Sequence, residues 1–378
     1  MSRNGFRVLD SDLHVIEPRD LYERYLDPRY KARGPRPLDA RQAYVSNWIV
    51  DGYGFPRPIG RGRPDAEARA QAVLKDYAAA GFDSASQVKA MDVEGLDIAV
   101  LFRTLPVVCV DAFDPDFAIA LCRGWNDWAA EFVRPAPERM KAAALLTLHD
   151  ATLAAQELRR AVTQLGFVAA QMMPNPVNGV NLHDPKMDPL WEEAQRLGVP
   201  ICFHPAPNNY SDTHFVNRFL TRPSATMSGG LNNPVELMAA IASMTAGGVL
   251  ERFPRLKVAF LEGNCSWLPW LLWRIDEFWQ MAKSGETAKL QGLPSEYFRR
   301  QCFISVDVDE DQVEWVVKKL GDDTLVFSTD YPHSDSHFPE ATSLFLKLPL
   351  SEESKRKILW DNCARLYGFN GAGGRRGP

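Results

Sequence analysis

The sequence lacks, first of all, any pairing of its cysteines. Six of them (Cys109, Cys122, Cys202, Cys265, Cys302 and Cys363) are scattered through 378 residues with no C-x-x-C pair. That pattern gives no sign of a disulfide framework. Most lie in apolar surroundings, so reduced core thiols in the cytoplasm are expected. Cys265 has no neighbouring His to activate it as a nucleophile. An excess of positive charge is missing too. A formal net charge of -5 and a pI near 5.9 offer no basic face for nucleic acid. The Arg57, Arg61 and Arg63 cluster sits among Gly and Pro and reads as a solvated loop. No apolar stretch is long enough to cross a bilayer, and residues 1–5 carry none of the apolar core of a secretory signal. There is no Gly-rich phosphate loop after a strand and no G-x-S-x-G elbow, which leaves nucleotide binding and serine hydrolysis with little support.

What the chain does have is 46% hydrophobic and 24% charged residues, the balance of a soluble globular protein. Eight short apolar runs recur, at 6–9, 97–102, 142–146, 168–173, 200–203, 257–261, 302–306 and 325–328. Most precede an amphipathic stretch, as at 116–133, 151–165, 189–197, 234–250, 267–281, 311–320 and 352–367. Short buried strands alternating with helices predict an α/β fold with a parallel sheet. A count of eight predicts closure into a distorted (β/α)8 TIM barrel. One domain over 1–370 is expected, with a disordered Gly/Arg-rich tail at 371–378. Two connections, 17–86 after strand one and 205–232 after strand five, are too long for turns. They read as insertions covering the C-terminal rim, where active sites of this fold lie.

Polar residues follow several of these runs directly. Strand one leads to Asp12 and His14, whose spacing of two places both on one side of a strand, and then to Glu17. Strand five leads to His204, strand six to Glu262, and strand eight to Asp330 and His333. Several carboxylates in a partly dry pocket call for a compensating cation or proton. Arg103, ending strand two, has the planar fork to clamp a substrate carboxylate, or to form a salt bridge at the rim. Gln171 ends strand four, and an amide bridges metals poorly. Asp307 and Asp309 read as caps of the next helix, and Arg274 as the partner of a neighbouring acid. His214 reads equally as a surface residue or as one reaching into the site. Trp267, Trp270, Trp273 and Trp279 follow helical spacing and read as core or subunit interface.

Three segments then carry a resemblance: Ser11-Asp12-Leu13-His14-Val15-Ile16-Glu17-Pro18, Phe203-His204-Pro205 and Ser328-Thr329-Asp330-Tyr331-Pro332-His333. They resemble the metal-dependent amidohydrolase superfamily, and within it the branch of aminocarboxymuconate-semialdehyde and resorcylate-type decarboxylases. The likeness runs from strand one to strand eight. It implies a metal held by Asp12, His14, His204 and Asp330. Two departures stand out. Strand one has Asp-x-His where relatives have His-x-His or Glu-x-His, a mild exchange. Strand six has Glu262 where relatives often place a His.

Three readings follow. In the first, a Zn or Mn ion serves hydrolysis or non-oxidative decarboxylation of a small polar, carboxylate-bearing substrate, with Glu262 or His333 moving protons. In the second, Glu17 and Glu262 complete a dinuclear iron or manganese centre for oxygen chemistry, as in a few members of the superfamily. In the third, the barrel is a non-catalytic partner subunit. The resemblance and the Trp-rich helix favour a homo-oligomer, with a related subunit as the alternative partner.

Overall fold

A computed structural model describes residues 4–38, 48–55, 72, 74–105, 107–108, 110–206, 210–211, 213–219, 225–333 and 336–369. The expected tail at 371–378, the arginines 57, 61 and 63 and Cys109 lie outside the described residues.

Eight parallel strands form one sheet in sequence order. We number them β1 (Leu9–His14), β2 (Ile98–Phe102), β3 (Met140–Leu145), β4 (Ala169–Met172), β5 (Ile201–Phe203), β6 (Val258–Phe260), β7 (Cys302–Val306) and β8 (Leu325–Phe327). Nearly every strand residue is buried, as a barrel wall covered by helices requires. Parallel ladders join neighbours from β1 round to β8. The last seam differs: β8 meets β1 through single bonds. Ser11 Oγ donates to Phe327 O at 2.6 Å, Asp330 N to Asp12 O at 3.3 Å, and His14 N to Tyr331 O at 2.7 Å. The barrel is nearly closed, and its irregular seam runs through the residues singled out above.

The helices start where the sequence supplies caps. Asp114 accepts from Phe117 N at 2.9 Å, with Pro115 at the first helical position, and opens Pro115–Val133. That helix buries Phe117, Leu121, Trp125, Trp128 and Phe132, a 3–4 residue repeat lying against the barrel. Asp150 caps Ala151–Gln164 in the same way. Gly198, at φ 64°, ends Asp188–Leu197 and lets the chain turn into β5.

Several expected boundaries move. The first strand starts at Leu9, where the apolar run ends, because Asp10, Ser11 and Asp12 are themselves fully buried strand residues. The helix expected from Pro234 begins at Ala225 and carries Pro234 inside it. The insertion at 17–86 holds structure of its own: a three-stranded antiparallel sheet (Arg36–Pro37, Trp48–Val50, Tyr53–Phe55) and the start of helix Ser84–Glu94. The tryptophan series splits: Trp279 is buried, whereas Trp270 and Trp273 are more than half exposed. Among the described residues no helix is long and apolar enough to cross a membrane.

Candidate metal centre

β1 brings Asp12 and His14 to the rim, both fully buried. The strand does not run evenly: between Asp10 and Leu13 it advances three residues while β2 advances two, from Ala99 to Leu101. This bulge re-aims the side chains next to the seam. Asp10 holds it in place, accepting from Asp12 N at 3.0 Å and from Thr329 Oγ1 at 2.5 Å. Burial pushes the Asp10 carboxyl up to about 8. Sequence reasoning missed Asp10, although its spacing of two from Asp12 was a usable signal.

Residues from four strand ends then converge. His14 Nε2 lies 3.0 Å from His204 Nε2, 3.3 Å from Asp330 Oδ1 and 3.5 Å from Asp12 Oδ1. His204 Nε2 lies 3.5 Å from Asp12 Oδ2 and 2.9 Å from Glu262 Oε2. The outer nitrogens are committed elsewhere: His14 Nδ1 faces Arg103 O at 2.7 Å, and His204 Nδ1 faces Pro205 O at 2.9 Å. A carbonyl only accepts, so each ring spends its Nδ1 proton there and turns its Nε2 lone pair inward. Among the described residues, both oxygens of Asp12 are buried without a hydrogen-bond partner.

Donors about 2.0–2.2 Å from one ion sit roughly 3.0–3.5 Å apart, which is the spacing found among these atoms. Orphaned carboxylate oxygens and facing lone pairs are the features a divalent cation satisfies. The residues therefore fit a metal ion held by Asp12, His14, His204 and Asp330, with Glu262 beside them. Without an ion the burden falls on one proton. Burial lowers the affinity of His204 for a proton, but Asp12 and Glu262 outweigh it and hold the ring well above the usual histidine range. Burial, helped by His333 and His204, drives His14 well below that range. Burial also raises Asp12.

Glu262 and Asp330 both adopt positive φ, 56° and 57°. Left-handed backbone is uncommon for residues other than glycine and gathers where geometry is over-determined. Glu262 is fixed by Asn233 Nδ2, which donates to Oε1 at 3.1 Å, and by Ser305 Oγ, which accepts from Glu262 N at 3.0 Å. His333 Nδ1 sits 2.7 Å from Asp330 Oδ1, and its Nε2 sits 3.3 Å from Thr104 Oγ1, so it orients the Asp330 carboxylate. A cavity of about 380 Å³ opens onto Glu262 and Asp330.

Other expected residues are placed elsewhere. Glu17 is buried but stands outside the cluster. Its Oε1 accepts from Thr104 N (3.0 Å), Leu105 N (3.3 Å) and Trp125 Nε1 (2.9 Å), pinning the loop that leaves β2. Among the described residues it joins no metal-type group, so the carboxylate pair expected of a dinuclear centre is not assembled. Arg103 is buried; Nη1 donates to Leu105 O at 3.3 Å, Nη2 touches Met173 Sδ at 3.0 Å, and among the described residues it pairs with no carboxylate. The rim salt bridge considered for it is absent there. Gln171 spans the wall, its Oε1 accepting from Arg103 N (3.0 Å) and its Nε2 donating to Ala143 O (2.7 Å). His214 is buried beside Glu236, which corrects the surface reading. Arg274 pairs with Glu277 at 2.7 Å, as expected. Asp307 and Asp309 do not cap the following helix, whose N-cap position is Gln312 with no side-chain bond.

Comparison with known proteins bears on this geometry. The amidohydrolase family model matches residues 10–369. The 2-amino-3-carboxymuconate-6-semialdehyde decarboxylase of Dictyostelium discoideum is 29% identical over 366 residues, covering 96% of this chain and 93% of that one. Two solved structures share the fold. An amidohydrolase from Mycobacterium avium subsp. paratuberculosis K-10 superposes with a TM-score of 0.79 at 23% identity, over 96% of this chain and all of that one. A dihydroxybenzoic acid decarboxylase from Polaromonas sp. JS666, with bound manganese and 2-nitroresorcinol, gives 0.66 at 23% identity over 97% of each chain. With that match spanning nearly the whole chain, and with imidazoles and carboxylates gathered at the mouth of an eight-stranded barrel, the protein belongs to the amidohydrolase family and is a metal-dependent enzyme of that kind.

Proposed function

We propose that the protein catalyses the metal-dependent, non-oxidative decarboxylation of a small carboxylated aromatic or enamine-like acid. The observation that carries this reading is the set of inward-facing donors on Asp12, His14, His204 and Asp330, with Glu262 hydrogen-bonded beside them at the cavity wall. The decarboxylases among its relatives and neighbours support the reaction class, and the manganese of the Polaromonas enzyme supports manganese as the ion. Zinc suits the same mixed nitrogen and oxygen donors.

A divalent ion held by Asp12, His14, His204 and Asp330 would supply positive charge to stabilise the electron density left when carbon dioxide departs. The protein's own tasks are orientation and proton delivery. Arg103, a buried guanidinium without a carboxylate partner among the described residues, anchors an anionic group of the substrate. Glu262, at the cavity wall, gives a proton to the carbon that loses its carboxylate. The balance is one carbon–carbon bond broken, one carbon–hydrogen bond formed, carbon dioxide released, and Glu262 reprotonated from solvent. His333 holds Asp330 in place. The oxygen-dependent alternative called for Glu17 beside Glu262, and Glu17 Oε1 is instead engaged with Trp125 and the backbone.

The test is carbon dioxide release from a panel of ortho-hydroxybenzoates and carboxylated enamines, under anaerobic conditions, with manganese-loaded protein. Stoichiometric carbon dioxide and decarboxylated product are expected. Turnover only of amide substrates, or only with oxygen present, overturns the reading.

A further inference from the structure

The loops leaving β7 and β8 gather a second group of metal-type donors. Asp307, Asp309 and His337 each offer one atom, all within 4.8 Å of one another. Asp309 Oδ2 lies 3.2 Å from His337 Nε2, yet that nitrogen is buried without a hydrogen-bond partner among the described residues. The His337 side chain is only 10% exposed. Two donors at that separation but outside hydrogen-bond geometry are spaced as neighbouring ligands of one ion, which lie roughly 3.0–3.5 Å apart. Asp307 is steadied by Asn264 Nδ2, which donates to Oδ2 at 3.2 Å, and among the described residues it pairs with no Lys or Arg.

Glu310 is not free to serve this group as a further ligand. Its carboxylate accepts from Cys265 N at 2.9 Å and Ser266 N at 2.6 Å, tying the loop after β6 to the loop after β7. Asp307 and His337 line the same cavity as Glu262 and Asp330. The two groups are therefore separate donor sets facing one space.

We propose that Asp307, Asp309 and His337 form a second divalent-cation site at the cavity, separate from the one made by Asp12, His14, His204 and Asp330. Two carboxylates and one imidazole suit a manganese or zinc ion with water in its open positions. A substrate seated in the cavity then meets positive charge from a second ion.

The test counts ions. Chelator-treated full-length protein is dialysed against manganese, and bound metal per chain is measured for the wild type and for Asp309→Asn, His337→Ala and Asp330→Ala. Two ions are expected in the wild type. One is expected in Asp309→Asn and in His337→Ala, with the first site still filled. One is also expected in Asp330→Ala, now held at the second site. A wild-type count of one overturns the proposal even if a variant fails to fold. So does a count of two that persists in Asp309→Asn and His337→Ala, which would place both ions at the first site. Because binding alone is measured, the outcome does not depend on which reaction the enzyme performs.

Discussion

His14 Nε2 and His204 Nε2 face each other across 3.0 Å, while the opposite nitrogen of each ring is spent on a backbone carbonyl. Two imidazoles arranged in this way repel unless a proton or a cation stands between them. Asp12, both of whose oxygens are buried without a hydrogen-bond partner among the described residues, favours the cation.

Removing a carboxylate from this set should therefore release the metal. Asp12→Asn and Asp330→Ala are expected to weaken manganese binding by at least about a hundredfold, more than loss of an outer partner costs. Equilibrium dialysis with competition by a chelator measures this. Unchanged affinity in either variant removes that residue from the ligand set.

Glu17 separates structure from ligation. In Glu17→Ala, three donors (Thr104 N, Leu105 N and Trp125 Nε1) lose their acceptor. Unfolding free energy should fall by about 2–4 kcal/mol. Metal affinity in the folded variant should match the wild type. A drop in metal binding with unchanged stability contradicts the placement of Glu17.

Glu262 is expected to act on the proton rather than on the ion. Glu262→Gln keeps the shape and the contact with Asn233 but cannot deliver a proton. Carbon dioxide formation should fall by about 10²–10⁴-fold, with manganese affinity changed far less. A variant that loses metal and activity in equal measure makes Glu262 a ligand instead.

His214 predicts a pH dependence of stability. Burial pushes its imidazole down to about 4, so it is neutral in the folded chain at pH values where an unfolded histidine is charged. Between pH 6.5 and 4 the unfolded state binds the extra proton, so stability falls as pH falls through that window. The contribution is present in full above pH 6.5, and its loss amounts to about 3 kcal/mol by pH 4. In His214→Phe, the drop in thermal midpoint between pH 7 and pH 4.5 should be visibly smaller. An identical drop contradicts the burial argument.

Much of this architecture was legible from spacing. Apolar runs ending in Asp12, His14, His204, Glu262 and Asp330 announced both the barrel and its rim, because strand ends in this fold point their side chains at one place. Three things were not legible. The β1 bulge depends on Asp10 finding Thr329, a partner 319 residues away in the chain. The role of Glu17 depends on Trp125, buried on a helix over a hundred residues later. Asp307 and Asp309 looked like helix caps because local sequence cannot show that His337 returns beside them. In each case the deciding contact is long-range, and no window of sequence contains it.

The most direct measurement is an anomalous difference map at the manganese edge, from crystals of manganese-loaded protein. A peak is expected about 2.0–2.3 Å from His14 Nε2, His204 Nε2 and the carboxylates of Asp12 and Asp330. Those two nitrogens lying 3.0 Å apart with no peak between them would contradict the account.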